Sequence, residues 1–239
     1  MLRFLPVFLT LALASCGAVV TQVPPSAPST SAVSSSGDGM STARARATFE
    51  QVVASVEPVA EQECRRRAPQ LNCDFLIAVD VRRGIPPNAF QSLDPSGRPV
   101  ITFTISLLSS AENADELAFI MSHEAAHHIS EHLARQRRNA EAGAVVFAGL
   151  ATLTGGSSAD LATAQRLGAA VGARTYSKEF ELEADQLGTV IAYRAGYNPL
   201  VGAGFFARIP DPGDRFLGSH PPNAERLEAV RRTARSLGL

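Results

Sequence analysis

Apolar residues in this chain follow helical spacing in some stretches and strand spacing in others. Phe49, Val52, Val53, Val56 and Ala60 recur every three or four residues, which predicts a first helix. Pro58 lies inside it and predicts a kink or an early end. Phe75 to Val81 is a short apolar, β-branched run. From Val100 to Ser106, the residues Val100, Thr102 and Thr104 alternate against Ile101, Phe103 and Ile105. Both read as strands, with the turn signal Asp94-Pro95-Ser96-Gly97 between them. A long helix follows, from Asp115 to His132, with Ser109 and Glu112 or Asn113 and Glu116 as its capping pair. Ala142 to Thr154 is uncharged and rich in Ala, Val and Gly, but it falls short of the ~20 residues that span a bilayer. Gly155-Gly156-Ser157-Ser158 breaks it and a helical pattern resumes from Leu161 to Ala173. The pair reads as two packed helices or as a hinged flap, over a site or against a membrane. A further helix begins near Ser177 and ends at Gly196, with Pro199 just beyond.

The long helix carries the chemistry. His123, Glu124 and His127 spell His-Glu-x-x-His. Residues four apart on a helix lie nearly one above the other, so both imidazoles reach one metal ion. Glu124 is offset by one residue, placed for a water on the metal rather than for the metal itself. It also shares a stripe with Leu117, Ile120, Met121 and His128. An unpartnered carboxylate is costly on such a face, and a buried metal centre accounts for it. His128 and His132 are a second pair four apart with no Glu after the first. They read as structural residues or as supports for the ligands.

Two histidines leave a catalytic zinc site one protein ligand short. The helix from Ser177 offers Glu179, Glu181, Glu183 and Asp185. Glu181 and Asp185 share a stripe with Ala184, Gly188, Ala192 and Ala195, small residues that permit close helix packing. Glu179, Glu183, Gln186 and Arg194 form the opposite, polar face. Glu181 is the inward acid and third ligand. Asp185, one turn on, is placed to accept a hydrogen bond from a ligand imidazole.

The chain has 239 residues and a formal net charge of −1, which gives no electrostatic case for binding nucleic acid. Arg3 and the apolar run Leu5 to Leu13 read as an export leader. The run ends in Leu13-Ala14-Ser15-Cys16, which resembles a bacterial lipobox. It implies a signal peptide over residues 1–15, a lipid on Cys16 and, with Gly17 next, the outer membrane. Residues 16–41 are rich in Ser, Pro, Val and Gly and read as a flexible tether to a domain over 42–239. An exported compartment favours a disulfide between Cys64 and Cys73, worth about 2–3 kcal/mol for so short a loop.

His123-Glu124-x-x-His127 followed by Glu181-x-x-x-Asp185 within Tyr-Ser-Lys-x-x-Glu-x-Glu-Ala-Asp resembles the M48 family of zinc peptidases. Asn88-Ala89-Phe90, Asp115-Glu116-Leu117-Ala118, Ala195-Gly196-Tyr197-Asn198-Pro199, Ser219-His220-Pro221-Pro222 and Arg226 also match. The resemblance implies one Zn²⁺ on His123, His127 and Glu181, with Glu124 as catalytic base and His220 and Arg226 near the site. Ala126 stands where the family often has Gly, and Gln-Ser-Leu-Asp-Pro-Ser-Gly replaces its usual glycine-rich turn after Phe90.

The expected fold is α+β and predominantly helical: a zincin (gluzincin) with a small β-sheet, two metal-bearing helices and an edge strand near Val100 to Ser106. The expected function is a zinc endopeptidase, lipid-anchored to the outer membrane and facing the periplasm, that cleaves misfolded or stalled envelope proteins. The alternative is a chaperone or assembly factor for outer-membrane proteins, working with their assembly machinery and using the zinc fold as a scaffold. A third reading is a hydrolase of cell-wall peptides.

Overall fold

The computed structural model describes residues 42–175, 177–209 and 222–239. The leader, Cys16, the tether and His220 lie outside them. Helix α1 (Thr42–Arg67) is followed by three strands, β1 (Leu76–Asp80), β2 (Ala89–Leu93) and β3 (Pro99–Thr104). Then come α2 (Ile105–Ser110), α3 (Ala114–Ile129), α4 (His132–Leu153), α5 (Ser158–Arg174), α6 (Ser177–Arg194), the short α7 (Pro199–Gly202), a 3-10 turn (Ala203–Ala207) and α8 (Asn223–Ser236). This is the helix-dominated α+β fold that the sequence predicts.

The core lies between α1, the inner face of the sheet and α3. Val52, Val56 and Ala60 of α1 are buried with Ile101 and Phe103 of β3 and Leu117 and Met121 of α3. Pro58 does not end α1, which continues to Arg67. Its last turn is held twice. Cys64 is disulfide-bonded to Cys73 ahead of β1, and buried Glu63 takes ion pairs from Arg66, Arg67 and Arg194 of α6.

The sheet has the order β1-β3-β2, with β1 parallel and β2 antiparallel to β3. This corrects the sequence reading in two ways. Ala89–Leu93 is a strand, where no strand was expected. The stretch near Val100 is central, with both its edges paired, so it cannot add a further strand. The free edge toward the site belongs to β2.

Helix α3 is capped by Asn113, whose side chain accepts from the backbone of Glu116, while Glu116 accepts from the backbone of Glu112 at 2.9 Å. Glu116 is itself buried, and Arg208 grips both of its oxygens at 2.6 Å, fixing the 3-10 turn to the root of α3. Helix α3 stops at Ile129, so His132 does not continue it. Glu131 adopts φ 54, and this left-handed residue redirects the chain into α4. Helices α4 and α5 form a hairpin rooted beside α3. Helix α6 then returns across α3. At their crossing a Cβ on Gly188 would lie 3.0 Å from both Cα and N of His123. Ala184 and Ala192, on the same face of α6, are fully buried.

Candidate metal centre

Close approach of α6 to α3 brings Glu181 over the two histidines. His123 Nε2 and His127 Nε2 are 3.0 Å apart, and each lies 3.5 Å from an oxygen of Glu181. Tetrahedral ligands at zinc distances of 2.0–2.1 Å stand about 3.3 Å from one another, so this spacing suits one ion between the three donors. Two imidazoles and a carboxylate are also the donor types that such an ion takes. Among the described residues, His123, His127 and Glu181 are the group that can hold a metal.

Each imidazole is supported differently. His123 Nδ1 lies 3.0 Å from Asp185 Oδ1, and Asp185 is fully buried. The guanidinium of Arg226, from α8, grips the same carboxylate at 2.7 and 2.8 Å. Arg226 rests on the ring of Phe206, 3.8 Å from its centroid, which supports a buried cation. His127 Nδ1 lies 2.8 Å from Nδ1 of His132. His132 Nε2 in turn faces Glu183 at 3.2 Å, and Arg135 holds Glu183 at 2.7 Å. The His132 ring stacks on Phe180, 4.6 Å between centroids.

The sequence reading grouped Glu183 with the outward face of α6. That assignment missed its role, because the redirection at Glu131 swings His132 to the flank that Glu183 borders. His128 goes elsewhere: its Nε2 meets the Asn72 carbonyl at 2.8 Å and its ring packs edge-on against Phe75. It ties the disulfide loop to α3 and lies outside the donor group.

The site is electrostatically tense. Burial works against a charge on His123, but hydrogen bonds that its ring donates to the Asp185 and Glu181 carboxylates overcome it and raise the metal-free imidazole to about 9. Burial and the neighbouring His123 push His127 well down, so it stays neutral. Burial raises the Glu124 carboxyl, with Glu181 adding to the effect, while His123, Arg226 and the backbone N–H of Gln91 pull it back. Gln91 sits on β2, so the free strand edge and Glu124 border the same space. That space is a cavity of roughly 660 Å³ lined by Ala89, Phe90 and Gln91 of β2, by Phe119, His123, Glu124 and His127 of α3, and by Glu181 and Arg226.

A crossed pair of helices supplying a buried His-His-Glu group, open to a cleft beside a strand edge, is the architecture of a metallopeptidase. The chain belongs to peptidase family M48, whose sequence model matches residues 47–234. It is also similar to the beta-barrel assembly-enhancing protease of Escherichia coli O157:H7. The two are 28% identical over 154 residues, which cover 55% of this chain and 30% of that protein. The chain therefore matches less than a third of that relative's length.

Proposed function

We propose that this chain is a zinc endopeptidase of the bacterial cell envelope, with His123, His127 and Glu181 as metal ligands and Glu124 as general base. The observation that carries the proposal is the convergence of the three donors, Glu124 and the free edge of β2 on one cavity. Zinc bound there supplies a Lewis acid for the scissile carbonyl and lowers the pKa of water to about 7. An extended substrate segment pairs with β2, which lays its carbonyl beside His123 and Glu124. Glu124 takes a proton from the attacking water and delivers it to the leaving amine. Its raised pKa suits both steps. Asp185 and Arg226 hold the His123 ring in register, and His132 does the same for His127.

The substrates proposed are misfolded or unassembled envelope proteins. Extended segments of such proteins can pair with a strand edge, whereas folded proteins offer few. The lipobox at Cys16 supports anchorage at the outer membrane, and the assembly role in the relative's name supports work alongside outer-membrane assembly. Comparing envelope proteomes of cells making wild type or Glu124→Gln tests this reading. Intact envelope proteins should accumulate only with the variant. Identical proteomes, with the variant restoring a deletion strain, would favour the chaperone reading instead.

A further inference from the structure

Helices α4 and α5 expose apolar side chains that the catalytic reading does not use. Val146, Leu150 and Leu153 recur on one face of α4, with Gly149 between them, Ala142 one turn before and Val145 at the edge. Leu153 is 84% exposed and Val145 71%. From Ala142 to Gln165 the only charged residue is Asp160, and its carboxylate is turned back into the capping box with Ser157. The hairpin is closely packed. A Cβ on Gly143 would meet the Gly168 carbonyl oxygen at 2.1 Å, and one on Gly172 the Asn139 oxygen at 2.1 Å, so the helices pack backbone to backbone. That close seam leaves Val145, Val146, Leu150 and Leu153 outside it.

Charge decides what covers this face. The hairpin carries Arg135, Arg137, Arg138, Arg166 and Arg174 against Glu141 and Asp160, whereas the whole chain is net −1. Arg137, Arg138, Arg166 and Arg174 are exposed, and no salt bridge among the described residues engages them. They lie outside the stretch from Ala142 to Gln165 rather than interrupt it. An apolar helix face on a hairpin with this excess of arginine fits the interface of an anionic bilayer, where the stripe enters the acyl boundary by about 5–10 Å and arginines meet headgroup phosphates. No helix among the described residues is long and apolar enough to cross a membrane. We propose that the α4–α5 hairpin lies on an anionic lipid leaflet with the Val146–Leu150–Leu153 face down. It thereby forms a second membrane contact, independent of any anchor at Cys16.

The chain contains no tryptophan, so one introduced indole reports its own surroundings. Leu153→Trp and, as reference, Val81→Trp at an exposed position just after β1 are made in the full-length chain and mixed with vesicles. A lipid on Cys16 would tether both variants equally, so the contrast between them isolates the hairpin and remains valid if the anchor reading fails. With phosphatidylethanolamine–phosphatidylglycerol vesicles, Leu153→Trp emission should shift to the blue. Brominated acyl chains should quench it about twofold, with Val81→Trp unmoved. Adding Val146→Asp and Leu150→Asp should abolish the shift, and phosphatidylcholine vesicles should produce much less of it. An unmoved Leu153→Trp, or equal shifts for both tryptophans, overturns the proposal. So does a shift that lipid-free envelope protein produces and vesicles do not, which would assign the face to a protein partner.

Discussion

His127 Nδ1 and His132 Nδ1 stand 2.8 Å apart, so one of them must donate the hydrogen between them. If Nε2 of His127 is to face a metal, its Nδ1 carries the proton and donates to His132. The remaining proton of His132 then sits on Nε2, directed at Glu183. Arg135 completes the line. The two imidazoles are thus oriented by different chemistry: His123 by a buried carboxylate and His127 by a second imidazole.

His132→Ala removes the acceptor for His127 without removing a donor to the metal. Its zinc affinity should fall about 10–100-fold, the usual effect of losing such a partner. Chelator competition measures it. His128→Ala should leave zinc affinity unchanged, because His128 binds the Asn72 carbonyl.

Gly188 sets the distance between α3 and α6. Gly188→Val places carbon against the backbone of His123 and should destabilise the fold by about 1–3 kcal/mol, as overpacking does. Denaturant unfolding reads the loss. Zinc should also bind more weakly, since Glu181 moves away with α6.

The raised pKa of His123 gives the pH dependence its sign. The metal-free fold holds this imidazole protonated to about 9, against 6.5 for a free one. Its contribution to the stability of the metal-free protein is present in full below 6.5 and is lost as pH rises through about 9. Zinc needs the nitrogen that carries this proton. Its affinity should therefore rise at least tenfold per pH unit up to about 9, with one proton released from His123, and a further fraction from the metal's water, per ion bound at pH 7. Titration calorimetry in two buffers of different ionisation enthalpy counts these protons.

Much of this site was legible because its chemistry requires fixed spacings. His123, Glu124 and His127 follow from helical geometry, and the small residues Ala184 and Gly188 marked which face of α6 packs inward. Two features escaped the sequence. Strand β2 reads Ala-Phe-Gln-Ser-Leu, has no β-branched residue and is a partly exposed edge, so neither propensity nor burial marks it. Its pairing with β3 makes it a strand. The end of α3 has no Gly or Pro, and Glu131 takes up the left-handed turn at a cost of about 1 kcal/mol. No local signal announces that break, so the relations of His132 and Glu183 had to come from the fold.

In the proposed mechanism Glu124 moves protons at a zinc ion that it does not bind. The most direct measurement is casein hydrolysis by Glu124→Gln, run on the same preparation in which zinc is counted, with Glu181→Ala alongside. Glu124→Gln should hold about one zinc per chain and show no detectable cleavage, and Glu181→Ala should lose zinc. Cleavage by Glu124→Gln at the wild-type rate, or full zinc in Glu181→Ala, would contradict the mechanism.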